Sequence, residues 1–185
     1  MTVLFSDVRG FTSIAEKLSP HALADLINAY LSAMSQVIRE EHHGTLDKYI
    51  GDAIMAFWGA PVADAAHAEN AVLAALQMQQ VAQRLRGEFL TKGWPELRIG
   101  IGLNSGQMRV GDMGSNIRKA YTAMGDEVNL GARLEGLTKI YGVGILMGEN
   151  THSLLRGWVN REVDSVRVKG KKNPIAIYEP LRPAG

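Results

Sequence analysis

Two short apolar runs, each handing an aspartate to a turn, constrain this chain more than any other feature. Val3-Leu4-Phe5-Ser6-Asp7-Val8-Arg9-Gly10 reads as a buried strand over residues 2–8 that ends at the Asp7 carboxylate. Lys48-Tyr49-Ile50-Gly51-Asp52-Ala53-Ile54-Met55-Ala56-Phe57 belongs to two strands, Thr45 to Tyr49 and Ala53 to Trp58, joined by a Gly51-Asp52 hairpin turn. An aspartate in such a place ordinarily serves its own turn by bonding to nearby backbone. Two of them on neighbouring strand ends are able to hold a pair of divalent cations about 3.5–4 Å apart, the clamp for attacking and leaving oxygens in phosphoryl chemistry. Gly10 permits close backbone approach of a ligand. Ser13-Ile14-Ala15-Glu16 has capping-box spacing for a helix N-terminus, whose free N–H groups favour a phosphate. The pattern points to an enzyme acting on phosphates.

The remaining elements alternate between helix and hairpin. Ser19-Pro20 gives an N-cap with proline at the first helical position, and Leu23, Leu26, Ile27, Tyr30, Leu31, Met34, Val37 and Ile38 recur at helical spacing until Gly44. A second long helix is expected from Ala63 to about Leu90, ended by Gly93, Trp94 and Pro95. Arg98 to Leu103 and Gln107 to Val110 are expected to pair around Asn104-Ser105-Gly106, and Lys119 to Met124 leads into a helix carrying Asn129 and Arg133 on one face. A strand over Val143 to Met147, a short helix over Glu149 to Leu155 and two strands joined by a lysine-rich turn at 169–172 complete the chain. Mixed order with hairpins argues for an α+β fold, not a doubly wound parallel sheet. His42-His43 point different ways on a helix and read as helix-end charges or surface, and Trp58, Trp94 and Trp158 read as core or interface.

With 185 residues, 46% hydrophobic and 21% charged, the chain has material for one sizeable core, so residues 1–185 are expected to form one domain. A net charge of +1 supplies no basic field for nucleic acid. The absence of cysteine excludes disulfides and thiolate zinc sites and fits a reducing, cytoplasmic compartment. No apolar stretch approaches the ~20 residues of a membrane helix, and Asp7 and Arg9 interrupt any secretory signal, so no direct membrane insertion is expected. The first strand lies so near the start that an attached N-terminal sensor or membrane domain is expected.

Four ordered blocks carry a resemblance. Phe5-Ser6-Asp7-Val8-Arg9-Gly10-Phe11-Thr12, the Lys48 to Phe57 run, Tyr121-Thr122-Ala123-Met124-Gly125-Asp126-Glu127-Val128-Asn129-Leu130-Gly131-Ala132-Arg133-Leu134-Glu135 and Val168-Lys169-Gly170-Lys171 together resemble the class III nucleotidyl cyclase catalytic domain. The likeness is strongest to a bacterial class IIIb adenylate cyclase, since Thr122 stands where Asp is commoner. It implies a ferredoxin-like βαββαβ core with a small C-terminal α/β appendage, and conversion of ATP to 3′,5′-cyclic AMP and pyrophosphate in a homodimer.

The resemblance also implies roles. Asp7, Asp52 and the Val8 carbonyl would hold two Mg2+ or Mn2+ ions per site, hard cations suited to oxygen donors. Arg133 would stabilise charge developing on the α-phosphate and Asn129 would orient the ribose. Phe11, Thr12 and Lys169 would contact substrate. Lys48 would donate to adenine N1 while the Thr122 hydroxyl accepts from the 6-amino group. The metal-binding aspartates would come from one subunit and the remaining groups from its partner. One departure stands out: Gly100 occupies the place of a family arginine, leaving Arg98, Arg118 and Lys119 as substitutes.

Overall fold

The structure is a computed structural model and describes all 185 residues. The sheet has seven strands in the order β2-β3-β1-β4-β7-β9-β8, from β1 (Thr2–Val8), β2 (Thr45–Ile50), β3 (Ala53–Trp58), β4 (Ile99–Ser105), β7 (Ile145–Gly148), β8 (Trp158–Val166) and β9 (Ile175–Pro183). A separate two-stranded ribbon pairs β5 (Arg109–Gly114) with β6 (Lys119–Met124). The helices are α1 (Phe11–Lys17), α2 (Pro20–Gln36), α3 (His67–Thr91), α4 (Asp126–Tyr141) and α5 (Glu149–Leu154). The four strands β2-β3-β1-β4 pair antiparallel, which with the intervening helices gives the expected ferredoxin-like core. The C-terminal part is more integrated than an appendage: β7 adds parallel to β4, and β9 and β8 continue the same sheet.

Alternation along β1 sorts its side chains between two layers. Leu4 and Val8 join Leu26, Tyr30 and Met34 of α2 and Ala71, Ala75 and Met78 of α3 in the main core. Val3 faces the other way, into a smaller cluster with Met55, Phe57, Ala123 and Val128. Here α4 lies against the sheet at unusually close range. A Cβ on Gly102 would stand 2.3 Å from the Glu135 backbone nitrogen, and one on Gly131 would stand 2.8 Å from Val3 Cγ1. No side chain larger than hydrogen fits at either contact, which fixes the height of α4 above β1 and β4.

Four expectations shift. Ser19 caps α2 as expected, its hydroxyl accepting from the Ala22 amide at 3.2 Å, but helical backbone continues as a π-helical turn over Val37–Glu41. The second long helix begins at His67, not Ala63, because Asp64 accepts from the Ala66 amide and the Asn70 side chain and so forms the turn before it. Gln107 to Val110 does not pair with β4, whose edges are occupied by β1 and β7; Arg109 and Val110 pair instead with Met124 and Ala123 in the ribbon. His42 is not plain surface but half-buried: its ring bonds the Gln77 side chain at 2.5 Å and its carbonyl accepts from the Trp58 indole at 2.8 Å. Trp58 is fully buried, and Trp94 and Trp158 pack against the main core. No helix is long and apolar enough to cross a membrane.

Candidate active site

Gly51, at φ 62°, turns the chain between β2 and β3 and carries Asp52 to the end of β1. There the Val8 amide donates to Asp52 Oδ2 at 2.9 Å. Burial, a hydrogen bond with Asp52 and the negative charges of Asp52 and Glu135 push the Asp7 carboxyl up to about 7, with Lys139 giving partial relief. Glu135 is also raised, mainly by burial, against the opposing charges of Lys139 and Arg9. The two sequence-selected carboxylates therefore converge, as a site with excess negative charge. No third acidic or histidine side chain joins them in a group placed to hold a metal ion. Two partly exposed carboxylates suit Mg2+ or Mn2+, which take one or two carboxylates and complete their shell with water and substrate phosphate, without an all-protein cage.

Next to this pair, Gly10 sits in the left-handed region at φ 63° as the N-cap of α1. Phe11 and Thr12 open the helix, and no side chain caps it; Ser13 falls inside the first turn, so the expected capping box is absent. The first-turn amides are left without a side-chain partner.

A second cluster lies on α4 and the 168–171 turn. Asp126, Asn129, Leu130, Arg133, Val168, Lys169, Gly170 and Lys171 line a cavity of about 410 Å³. Arg133 forms an ion pair neither with Glu135 nor with any other carboxylate, and Lys169 is equally unpaired. Lys171 is committed to Glu127 at 2.6 Å, and Glu127 also accepts from the Asn104 side chain at 2.7 Å. Two free cations and an amide thus face one space, a cradle for an anion.

Lys48 and Thr122 meet through a residue the sequence did not single out. Asp47 Oδ2 accepts from the Thr122 hydroxyl at 2.5 Å and from the Ala123 amide at 3.2 Å, while Lys48 Nζ lies 3.6 Å from Asp47 Oδ1.

The adenylate and guanylate cyclase catalytic domain family matches residues 1–178. The chain belongs to this family. The cyclase domain is 35% identical over 180 residues to adenylate cyclase 1 of Rhizobium meliloti, and 40% identical over 187 residues to an adenylate cyclase of Anabaena cylindrica. Each match covers 97% of the chain but only 27% and 36% of those relatives, so the cyclase domain spans about a quarter to a third of their length. Among solved structures, the adenylyl cyclase CyaB of P. aeruginosa superposes with a TM-score of 0.90 at 37% identity, over 97% of this chain and 92% of that one. The guanylyl cyclase Cya2 superposes with a TM-score of 0.88 at 33% identity, over 99% and 92%.

Within one copy of the cyclase domain the two clusters stay apart. Neither Asp7 nor Asp52 lines the Asn129–Arg133–Lys169 cavity, and neither Arg133 nor Lys169 is among the charges that act on Asp7. Gly100 pairs with Asp7 across β1 and β4, and a Cβ there would stand 2.3 Å from Thr138 Oγ1, so α4 leaves no room for an arginine. Arg98 pairs with Glu96 at 3.1 Å and lines a different cavity, of about 830 Å³. Arg118 and Lys119 are exposed at the tip of the β5–β6 ribbon. Asp47, Glu127 and Glu135 went unselected in the sequence because their partners are distant in the chain, and no local spacing announces them.

Proposed function

We propose that this domain is an adenylate cyclase, converting ATP to 3′,5′-cyclic AMP and pyrophosphate at a site shared between two copies of the chain. The convergence of Asp7 and Asp52, with Asp7 raised to about 7 by that proximity and by burial, carries the reading. Such a site needs an external positive charge near neutral pH. Two divalent cations held by Asp7, Asp52 and the Val8 carbonyl would supply activation of the ribose 3′-hydroxyl and neutralisation of the departing pyrophosphate.

The chain's own residues do the rest. Arg133, unpaired on α4, meets charge accumulating on the α-phosphate oxygens, and Asn129 one turn earlier holds the ribose. Lys169 and the first-turn amides at Phe11 and Thr12 hold the outer phosphates. Lys48 donates to adenine N1 and Thr122 accepts from the 6-amino group. Separation of the acidic pair from the cationic cavity within one chain favours a homodimer in which each copy completes the other's site.

Purified domain incubated with ATP and manganese should yield cyclic AMP, measured by chromatography. The Asp7→Ala protein should be inactive and the Arg133→Ala protein slower by about 10²-fold or more. Mixed one to one, they should recover up to about a quarter of wild-type activity, since half of random dimers hold one intact site. Silence at every mixing ratio would refute the shared site.

A further inference from the structure

Two neighbours on a regular strand face opposite ways, yet Asp47 and Lys48 come together beside Thr122. The cause is a bulge in β2: Leu46 pairs with Ala56 and Lys48 with Met55, leaving Asp47 as the extra residue. A bulge re-aims a side chain, and here it turns Asp47 toward β6. The side chain is only 1% exposed, whereas that of Lys48 is 45% exposed. Asp47 Oδ2 takes the Thr122 hydroxyl and the Ala123 amide, while Oδ1 is buried with no hydrogen-bond partner and faces the Lys48 ammonium at 3.6 Å.

A threonine hydroxyl has one proton and two lone pairs, so alone it can donate to or accept from a ligand. With its proton given to Asp47, only acceptor capacity remains. We propose that Asp47 is the positioning residue for purine selection: it fixes Thr122 as an acceptor and draws Lys48 alongside as a donor, so that the pair accepts a 6-aminopurine and rejects a 6-oxopurine. Adenine presents an acceptor at N1 and a donor at the 6-amino group, and both are met. Guanine presents N1–H to the ammonium and O6 to a hydroxyl that has no proton to give, so donor meets donor and acceptor meets acceptor. Rejection by mismatched polar groups is the stronger half of such discrimination. The inference rests on the nucleotide reading of the site and extends it to a residue that does not itself touch the base.

The test is the ratio of kcat/KM for ATP to that for GTP, together with competition between non-cyclising ATP and GTP analogues for a fluorescent nucleotide. Asp47→Ala should lower the ATP:GTP ratio about tenfold, the effect of unlocking one buried hydrogen bond. Thr122→Val should lower it similarly, and the double variant should fall no further, because Asp47 acts through Thr122. Asp47→Asn covers the case in which the alanine variant does not fold. Whichever way its amide turns, an N–H group faces either Lys48 or Thr122, so the ratio should fall again. A purely structural role would depress both substrates equally; an unchanged ratio in a folded variant, or fully multiplicative effects in the double variant, overturns the assignment. A wild-type protein that forms no cyclic nucleotide overturns the cyclase reading instead, and the analogue competition still decides the role of Asp47.

Discussion

Replacing Asp7 with Asn should stabilise the metal-free protein at alkaline pH while destroying its response to metal. In the folded state the Asp7 carboxyl is raised from 3.8 to about 7 by burial and by Asp52. A raised carboxyl binds its proton more tightly when folded, so its favourable contribution is full below about pH 4 and is lost as pH rises through 7. The span corresponds to at most about 4 kcal/mol at the rate of 1.36 kcal/mol per pH unit. Asp7 keeps partial solvent exposure, and solvent screening reduces this to roughly 1–2 kcal/mol. Asn keeps the shape without the charge, so with a chelator at pH 8 the variant should exceed wild type by that amount, a rise in Tm of about 2–8 °C for a domain of this size. At pH 3, below the unfolded-state value, the two proteins should nearly coincide. Manganese should raise the Tm of wild type at pH 8 and leave Asp7→Asn unmoved. Urea denaturation across that pH range measures the difference; a gap that is absent at pH 8, or equally large at pH 3, refutes the reasoning.

Other perturbations follow from the same geometry. Arg133→Ala should lower kcat by about 10²–10³-fold with a smaller effect on KM, the signature of a lost transition-state contact, as steady-state kinetics would reveal. Gly102→Ala forces a methyl group against the α4 backbone and should cost about 1–3 kcal/mol or more, read by chemical denaturation; an unchanged midpoint would mean α4 is not seated as described. Ser19→Ala removes the α2 cap and should cost about 1 kcal/mol without altering substrate selectivity.

Features written in local chemistry were legible before folding. Ser19-Pro20 announces a helix start, Gly51-Asp52 a hairpin and the alternating run of β1 a two-faced strand, because each rests on backbone preferences of a few adjacent residues. The ribbon partner of Gln107 to Val110 is not legible locally because strand pairing depends on which edges are already occupied. Asp47 carries no local signal for a related reason. Its environment exists only because β2 carries an extra residue, and a bulge leaves no mark in the order of side chains. The resemblance singles out Lys169, but the pairing of Lys171 with Glu127, far back in the chain, has no local signal.

The glycine seat beneath α4 has a mechanical meaning. A helix seated backbone to backbone at Gly102 and directly on Val3 beneath Gly131 has little freedom to slide, roll or lift without losing those contacts. Arg133 and Asn129 on the helix and Asp7 on the strand below it therefore travel as one body. Under the shared-site reading, turnover would be governed by the fit of one such body against its twin. An upstream signal could then throttle or release the chemistry by a modest rotation between two stiff halves, with no rearrangement inside either.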